Sequence, residues 1–223
     1  MPKCAGTSFS NVLESWYGNK LLLHYHNEKR NKPPKKYKLT CGLFKKRPRK
    51  GLCIHGHFNN ARGNGLSDYY PNSPQMISVL RDPFDLHVSN YFYVKRQELN
   101  NKGGAMRGGE KHKIISNDWS LKEFLEEEPK SYILDFMPQE LTIDNFEKIL
   151  EKQFLYIGIS EQLQKSVDLL ANILNFKSLE VSVSNKSQKD EEISVEMREA
   201  FERSNPLEYA IYNYARSNWG NSD

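Results

Sequence analysis

Long apolar runs are absent from this chain of 223 residues. The longest span only a few residues, against the roughly 20 that a bilayer-crossing helix needs, so no transmembrane segment is expected. No secretory leader is legible, since Met1 is followed at once by a polar loop motif. Cysteine is scarce. Cys4, Cys41 and Cys53 form an odd set without zinc-site spacing, which reads as reduced thiols in a cytoplasmic protein; a Cys41–Cys53 disulfide is the other reading. No Gly-Lys-Ser or Gly-Lys-Thr closes a Walker A loop, which speaks against a nucleotide triphosphatase or a kinase. No internal repeat or linker interrupts the chain, so one domain over residues 1–223 is expected.

Acidic residues are missing from residues 29–50, where 11 lysines and arginines stand from Lys29 to Lys50. The rest of the chain holds 21 basic and 28 acidic residues, a net of −7, so the overall charge of +4 comes from this block. A run of like charge is commonly a solvated loop. It is equally suited to receive a polyanion, either a sugar chain or a nucleic acid.

What is present is enough for a core, since aromatic residues alone make up 12%. The pattern predicts a helix over residues 7–18, capped by Thr7 or Ser8 and ended by Gly18, with Val12, Leu13 and Trp16 on its apolar face. Leu21, Leu22 and Leu23 read as a short buried strand. Residues 31–49, with three prolines, read as a loop or a loose strand pair. Residues 52–54 form a second main strand, whose end delivers His55 and His57. Residues 75–80 form a third, near-continuously apolar as in a parallel strand covered on both faces. Pro83 opens a helix to about residue 98. Residues 100–109, rich in Gly and Asn, read as an excursion. Ser120 caps a short helix through residue 127. Residues 142–152 form a helix with Ile143, Phe146, Ile149 and Leu150 on one face. A strand over 154–159, an amphipathic helix over 161–174 and two closing helices over 194–203 and 206–218 complete the chain. Strands alternating with helices predict a three-layer α/β fold with a mainly parallel central sheet flanked by helices.

Three places carry chemistry. In Pro2-Lys3-Cys4-Ala5-Gly6-Thr7-Ser8, a glycine permits close approach to an anion, and the helix behind it points free N–H groups there. Lys3 adds a charge, and Thr7 and Ser8 add hydroxyl donors; the alternative is an ordinary capped helix start. Arg81 leaves a strand end and Ser89 follows eight residues later, so both can converge on one phosphate; the alternative is an Arg81–Asp82 surface pair. His55-Gly56-His57 puts two imidazoles on one side of an extended chain at a strand's C-terminal end, where open α/β sheets bind ligands. With Cys53 they also offer three metal-ligating types, though not at a standard spacing.

A phosphate loop, an Arg–Ser pair and a His-x-His-Phe string resemble the sulfotransferase superfamily, in particular the branch that sulfates polysaccharides such as heparan sulfate and uronyl residues. The likeness spans most of the chain. Gly158-Ile159-Ser160-Glu161 is similar to the family's Gly-x-x-Glu. Asn185 and Lys186 resemble a loop that closes over the donor. Asn205-Pro206-Leu207-Glu208-Tyr209 resembles a C-terminal helical signature. The resemblance implies a P-loop-like fold and the donor 3′-phosphoadenosine 5′-phosphosulfate (PAPS), with 3′,5′-bisphosphoadenosine (PAP) as product and no metal. It implies that Lys3, Ala5, Gly6, Thr7 and Ser8 hold the 5′-phosphosulfate, and that Arg81 and Ser89 hold the 3′-phosphate. His57, then His55, is implied as the base. The acceptor is expected to be a hydroxyl, in particular of an anionic polysaccharide received by residues 29–50, rather than a nucleic acid. In the family a buried strand precedes the loop; here Met1 precedes it, so that strand is expected to be missing. A non-catalytic polyanion-binding protein with a degenerate donor site is the rival reading.

Overall fold

The computed structural model describes residues 1–27, 30, 32–41, 47–48, 51–71, 75–99, 112–130, 132–181 and 191–220. Within them the chain is a mixed α/β fold of small parallel sheets flanked by helices. Helix α1 (Gly6–Tyr17) leads into β1 (Leu21–His24), and β2 (Thr40–Cys41) pairs antiparallel with β3 (Arg47–Pro48) inside the basic block. Strand β4 (Cys53–Gly56), the short α2 (Leu66–Tyr69) and β5 (Met76–Leu80) follow. Then come α3 (Pro83–Leu99), α4 (Lys113–Ser116), α5 (Leu121–Glu127), α6 (Phe146–Gln153), β6 (Phe154–Ile159), α7 (Leu163–Leu174), α8 (Val195–Ser204) and α9 (Pro206–Asn218). Among the described residues no helix is long and apolar enough to cross a membrane.

Among the described residues the parallel strands form two pairs. β1 pairs with β4, Leu21 opposite Cys53 and His24 opposite Gly56. β5 pairs with β6, Leu80 opposite Ile159. No strand among the described residues hydrogen-bonds to both pairs. They are joined by side chains: Leu21 and Cys53 pack against the same apolar cluster as Val79, Leu80, Ile157 and Ile159. Helices α1, α6, α7 and α9 cover that cluster with Leu13, Leu150, Val167 and Ile211. A second cluster holds Phe84, Val88 and Tyr91 of α3 against Phe124 of α5 and Phe201 of α8. Leu86 of α3 belongs to the first cluster, so α3 is shared between the two.

Local chemistry sets the boundaries. Ser120 caps α5 as its sequence predicts, its hydroxyl accepting from the Glu123 N–H while Glu123 accepts from the Ser120 N–H. Helix α6 starts four residues later than the apolar period predicts. Asn145 accepts from the Thr142 N–H with its side chain and holds a non-helical backbone, so Ile143 falls outside the helix and is exposed. Ser166 of α7 spans the end of β6, accepting from the Ile159 N–H at 2.9 Å and donating to the Ile159 carbonyl at 3.0 Å. That contact needs Gly158 nearby, since a Cβ there would lie 3.0 Å from the Ser166 Cβ.

Gly56 is the tightest position in the sheet. A Cβ on it would lie 1.9 Å from the His24 carbonyl oxygen, and backbone cannot yield as a side chain does. Gly56→Ala is therefore expected to lower stability by about 1–3 kcal/mol, the range for an overpacked interior. A urea titration should show a lower midpoint at an unchanged slope; an unchanged midpoint would show that β1 and β4 have room between them.

Candidate functional site

The N-terminal loop is bent by two residues that are not glycine. Lys3 and Ala5 have φ of 62° and 55°, a left-handed conformation that costs an L-residue about 1–2 kcal/mol. Between them Cys4 is buried, 1% exposed, in the core. Ala5 is the N-cap of α1 and provides no side-chain cap, and the first turn carries no acid. One expectation is corrected here. Thr7 and Ser8 do not cap the helix, because it begins at Gly6 and both lie in its first turn. A Cβ on Gly6 would meet nothing nearer than the Met1 carbonyl oxygen at 3.9 Å. The loop sits at the positive end of a 12-residue helix.

Arg81 meets this loop. It leaves the end of β5 and donates from Nη1 to the Lys3 carbonyl at 3.2 Å. The corner that carries it is held on three sides. Asp82 Oδ1 accepts from the Asp85 N–H and so caps α3 ahead of Pro83. Glu161 Oε1 accepts from the Asp82 N–H at 2.9 Å. Arg198 of α8 forks across Asp82 and Asp85, 2.9 Å from each, with its guanidinium 4.5 Å above the Phe84 ring. Asp82 thus pairs with Arg198, leaving Arg81 for the loop. Ser89 lies two turns along α3, 6% exposed. Burial, then the like charges of Arg96 and Arg81, push the Lys3 ammonium below its ordinary value.

The histidines stand at the end of β4. His55 and His57 both lie edge-on to the Tyr25 ring, at 5.9 and 4.9 Å between centroids, so they share one side of the strand. Phe9 of α1 closes over His55 and Phe136 over His57. The buried α-amino group of Met1 acts on both rings and on Cys4, linking the histidines to the loop. Burial first, then that positive charge, lowers both imidazoles to about 4, so both are neutral at neutral pH. Burial pushes the thiols of Cys4 and Cys53 up to about 11. Both are free, so Cys53 takes no part in a disulfide. Among the described residues no group of three His, Cys, Asp or Glu side chains could hold a metal ion.

The structure therefore brings Lys3, Ala5, Gly6, Thr7, Ser8 and Arg81 to one corner, with His55 and His57 beside it. Ser89 lies further along the helix that starts there. Asn185 and Lys186 lie outside the described residues. Sequence reasoning passed over Tyr25, Tyr93, Arg96 and Arg198. Tyr93 and Arg96 follow Ser89 at four and seven residues, the spacing of one helix face, and that periodicity was the available signal. Nothing local marks Tyr25 or Arg198, whose partners lie far away in the chain.

The histidines also make stability depend on pH. His87 is buried, stacked 4.4 Å from Phe124, with Nε2–H donating to the Glu128 carbonyl at 2.7 Å. Burial lowers it, like His55 and His57, to about 4 from an ordinary 6.5. The unfolded chain then binds more protons than the folded one between those values. Stability is expected to be fully present above pH 6.5 and to fall as pH drops towards 4. Calorimetric melting should show a midpoint that declines from pH 7 to 5, less steeply in His87→Phe. Equal slopes for the two proteins would remove His87 from this linkage.

No family model, curated protein or solved structure matches this chain, so the reading of the site rests on its own geometry.

Proposed function

We propose that the chain is a sulfotransferase that moves a sulfuryl group from PAPS to a hydroxyl of a carbohydrate. Lys3, Ala5, Gly6, Thr7, Ser8 and the start of α1 hold the 5′-phosphosulfate. Arg81 and Ser89 hold the 3′-phosphate, and PAP is the product. His57, aided by His55, takes the acceptor proton as general base. The new oxygen–sulfur bond forms as the bond from sulfur to the 5′-phosphate oxygen breaks, and that electron pair leaves with PAP. Lys3 opposes the charge growing on the departing oxygen. The scheme uses no metal. In the same reading the fold is a three-layer P-loop-like one, the two parallel strand pairs forming parts of one layer.

The observation that supports this reading most is the bond from Arg81 to the Lys3 carbonyl, which joins two phosphate-handling segments 78 residues apart. A Lys3 ammonium on which both Arg96 and Arg81 act is costly until an anion enters beside it. The histidines fit the same logic. A value of about 4 is low for a general base, yet the negative charge of an arriving donor raises it. Base strength thus comes with the donor. The acceptor is an anionic polysaccharide received by the basic block, part of which Tyr37 fixes beside β1. The Tyr37 hydroxyl donates to the Leu23 carbonyl, its N–H donates to the Tyr70 hydroxyl, and Lys35 lies 5.3 Å above its ring. β1 in turn pairs with the strand bearing His55.

Calorimetric titration with PAP, against adenosine 5′-monophosphate, tests the reading. PAP alone is expected to bind, at micromolar affinity or better. Arg81→Ala should weaken PAP by about 2–4 kcal/mol, as for a truncated buried charge pair, with little change for the monophosphate. His57→Ala should lose turnover and keep PAP binding. A folded protein that ignores PAP but binds heparin with steep salt dependence is instead a polyanion-binding protein.

A further inference from the structure

Lys3 has a partner that donor binding does not use. Its Nζ lies 4.4 Å from the centroid of the Tyr93 ring. Tyr93 sits on α3 one turn beyond Ser89, on the same face. Its neighbours Phe92 and Val94 are buried at 5% and 7%, whereas Tyr93 is 42% exposed. The helix thus keeps this one ring out of the core and turns it to the N-terminal loop. The cations that act on Lys3 are Arg81, at the corner before α3, and Arg96, further along it; no acid is among the groups that move Lys3. On the loop's inner side Cys4 is a neutral thiol, and Glu161 acts on Cys4. An ammonium half removed from water and facing two like charges needs an attraction to stay charged and in place, and the negative face of an aromatic ring supplies one.

We propose that Tyr93 is a positioning residue for Lys3: its ring face holds the ammonium, charged, at the edge of the anion-binding corner until a phosphate oxygen takes it over. This rests on the donor-site reading for what arrives, and on the Lys3–Tyr93 contact for the rest. The handover is downhill, because a charge-assisted N–H to oxygen bond is stronger than a cation over a ring. Holding Lys3 there also keeps its long, flexible stem from sampling solvent, so less order is lost when the anion binds.

Two substitutions separate the ring face from mere bulk. Tyr93→Phe keeps the face and removes the hydroxyl. Tyr93→Leu keeps apolar cover over Lys3 and removes the face. The exposure of the side chain makes both compatible with folding, to be checked by melting. The readout is the pH dependence of Lys3 labelling by an amine-acylating reagent, measured by mass spectrometry on the ligand-free protein. Tyr93→Phe is expected to label as the wild type does. In Tyr93→Leu the ammonium loses its stabilising partner, so its titration moves down and labelling at fixed pH is faster by about fivefold, the size of an exposed cation–π contact. A Tyr93→Leu protein that labels as the wild type does, or a Tyr93→Phe protein that labels as Tyr93→Leu does, overturns the proposal. PAP binding, measured separately by calorimetry, bears on the donor reading alone, so the two ideas fail independently.

Discussion

Leu80 lies opposite Ile159 in the parallel pair β5–β6, and the placement of the site depends on that register. Both residues are fully buried, as are Ile157 and, nearly so, Tyr156. A slip by one residue turns every side chain to the opposite face and carries apolar groups out of the core. Because the register is fixed, the two strands end level. Arg81 therefore leaves β5 where Ser160 and Glu161 leave β6. Glu161 can then accept from the Asp82 N–H across the gap, and Ser166 can close the Ile159 backbone. The polar corner is a consequence of the apolar strands beneath it: charged groups cannot follow the chain into the sheet, so they collect at its C-terminal edge.

Around that corner the charges are sorted by partner. Asp82 and Asp85 take Arg198, and Arg198 also covers Phe84. This leaves Arg81 with a backbone carbonyl as its hydrogen-bond partner, a neutral acceptor that does not cancel its charge. Lys3 likewise faces a ring rather than a carboxylate. The carboxylates of Asp82 and Asp85 stabilise the turn and pair with Arg198 rather than with Arg81 or Lys3. The histidines extend the pattern, since burial and the Met1 amino group keep them neutral. In the proposed reading an anion entering such a place relieves repulsion on Lys3 and strengthens the imidazoles as bases in the same act.

Much of the fold was legible in the sequence because its signals are local. The strand over Phe154–Ile159 and the helix over Pro206–Asn218 lie where the apolar pattern, Pro206 and the flanking residues put them. Ser120 and Pro83 mark helix starts through their own chemistry. What escaped was non-local. The pairing of strands two by two depends on which edges meet, and no periodicity encodes that. The start of α6 slipped because one Asn145 hydrogen bond outweighs a continuing apolar pattern. Of the site, the segments bearing Lys3, Arg81 and His57 were legible as motifs, and their approach to one another rests on contacts between residues far apart in sequence. Tyr93 carries a signal, its spacing from Ser89, but an aromatic residue at helical spacing usually belongs to a core.

The loop geometry bears on why such a corner exists. Two left-handed residues without the freedom of glycine flank Cys4, and the helix behind them starts without a side-chain cap. Each feature costs stability: about 1–2 kcal/mol for a left-handed L-residue, and about 1 kcal/mol for a helix start lacking a capping side chain. Burial of Cys4 offsets part of this and holds the bend in place. A loop selected for stability alone carries glycine where Lys3 and Ala5 stand, and Ser or Asp at the cap. An aspartate there would place a negative charge on the loop that carries Lys3, and a glycine at position 3 would remove the ammonium. The chain instead keeps a strained turn, an uncapped helix dipole and a lysine whose ammonium lies over the Tyr93 ring. Backbone strain of this kind persists where the surrounding structure enforces it and a function uses it: the buried Cys4 enforces it here, and in the proposed reading the donor's phosphate uses it.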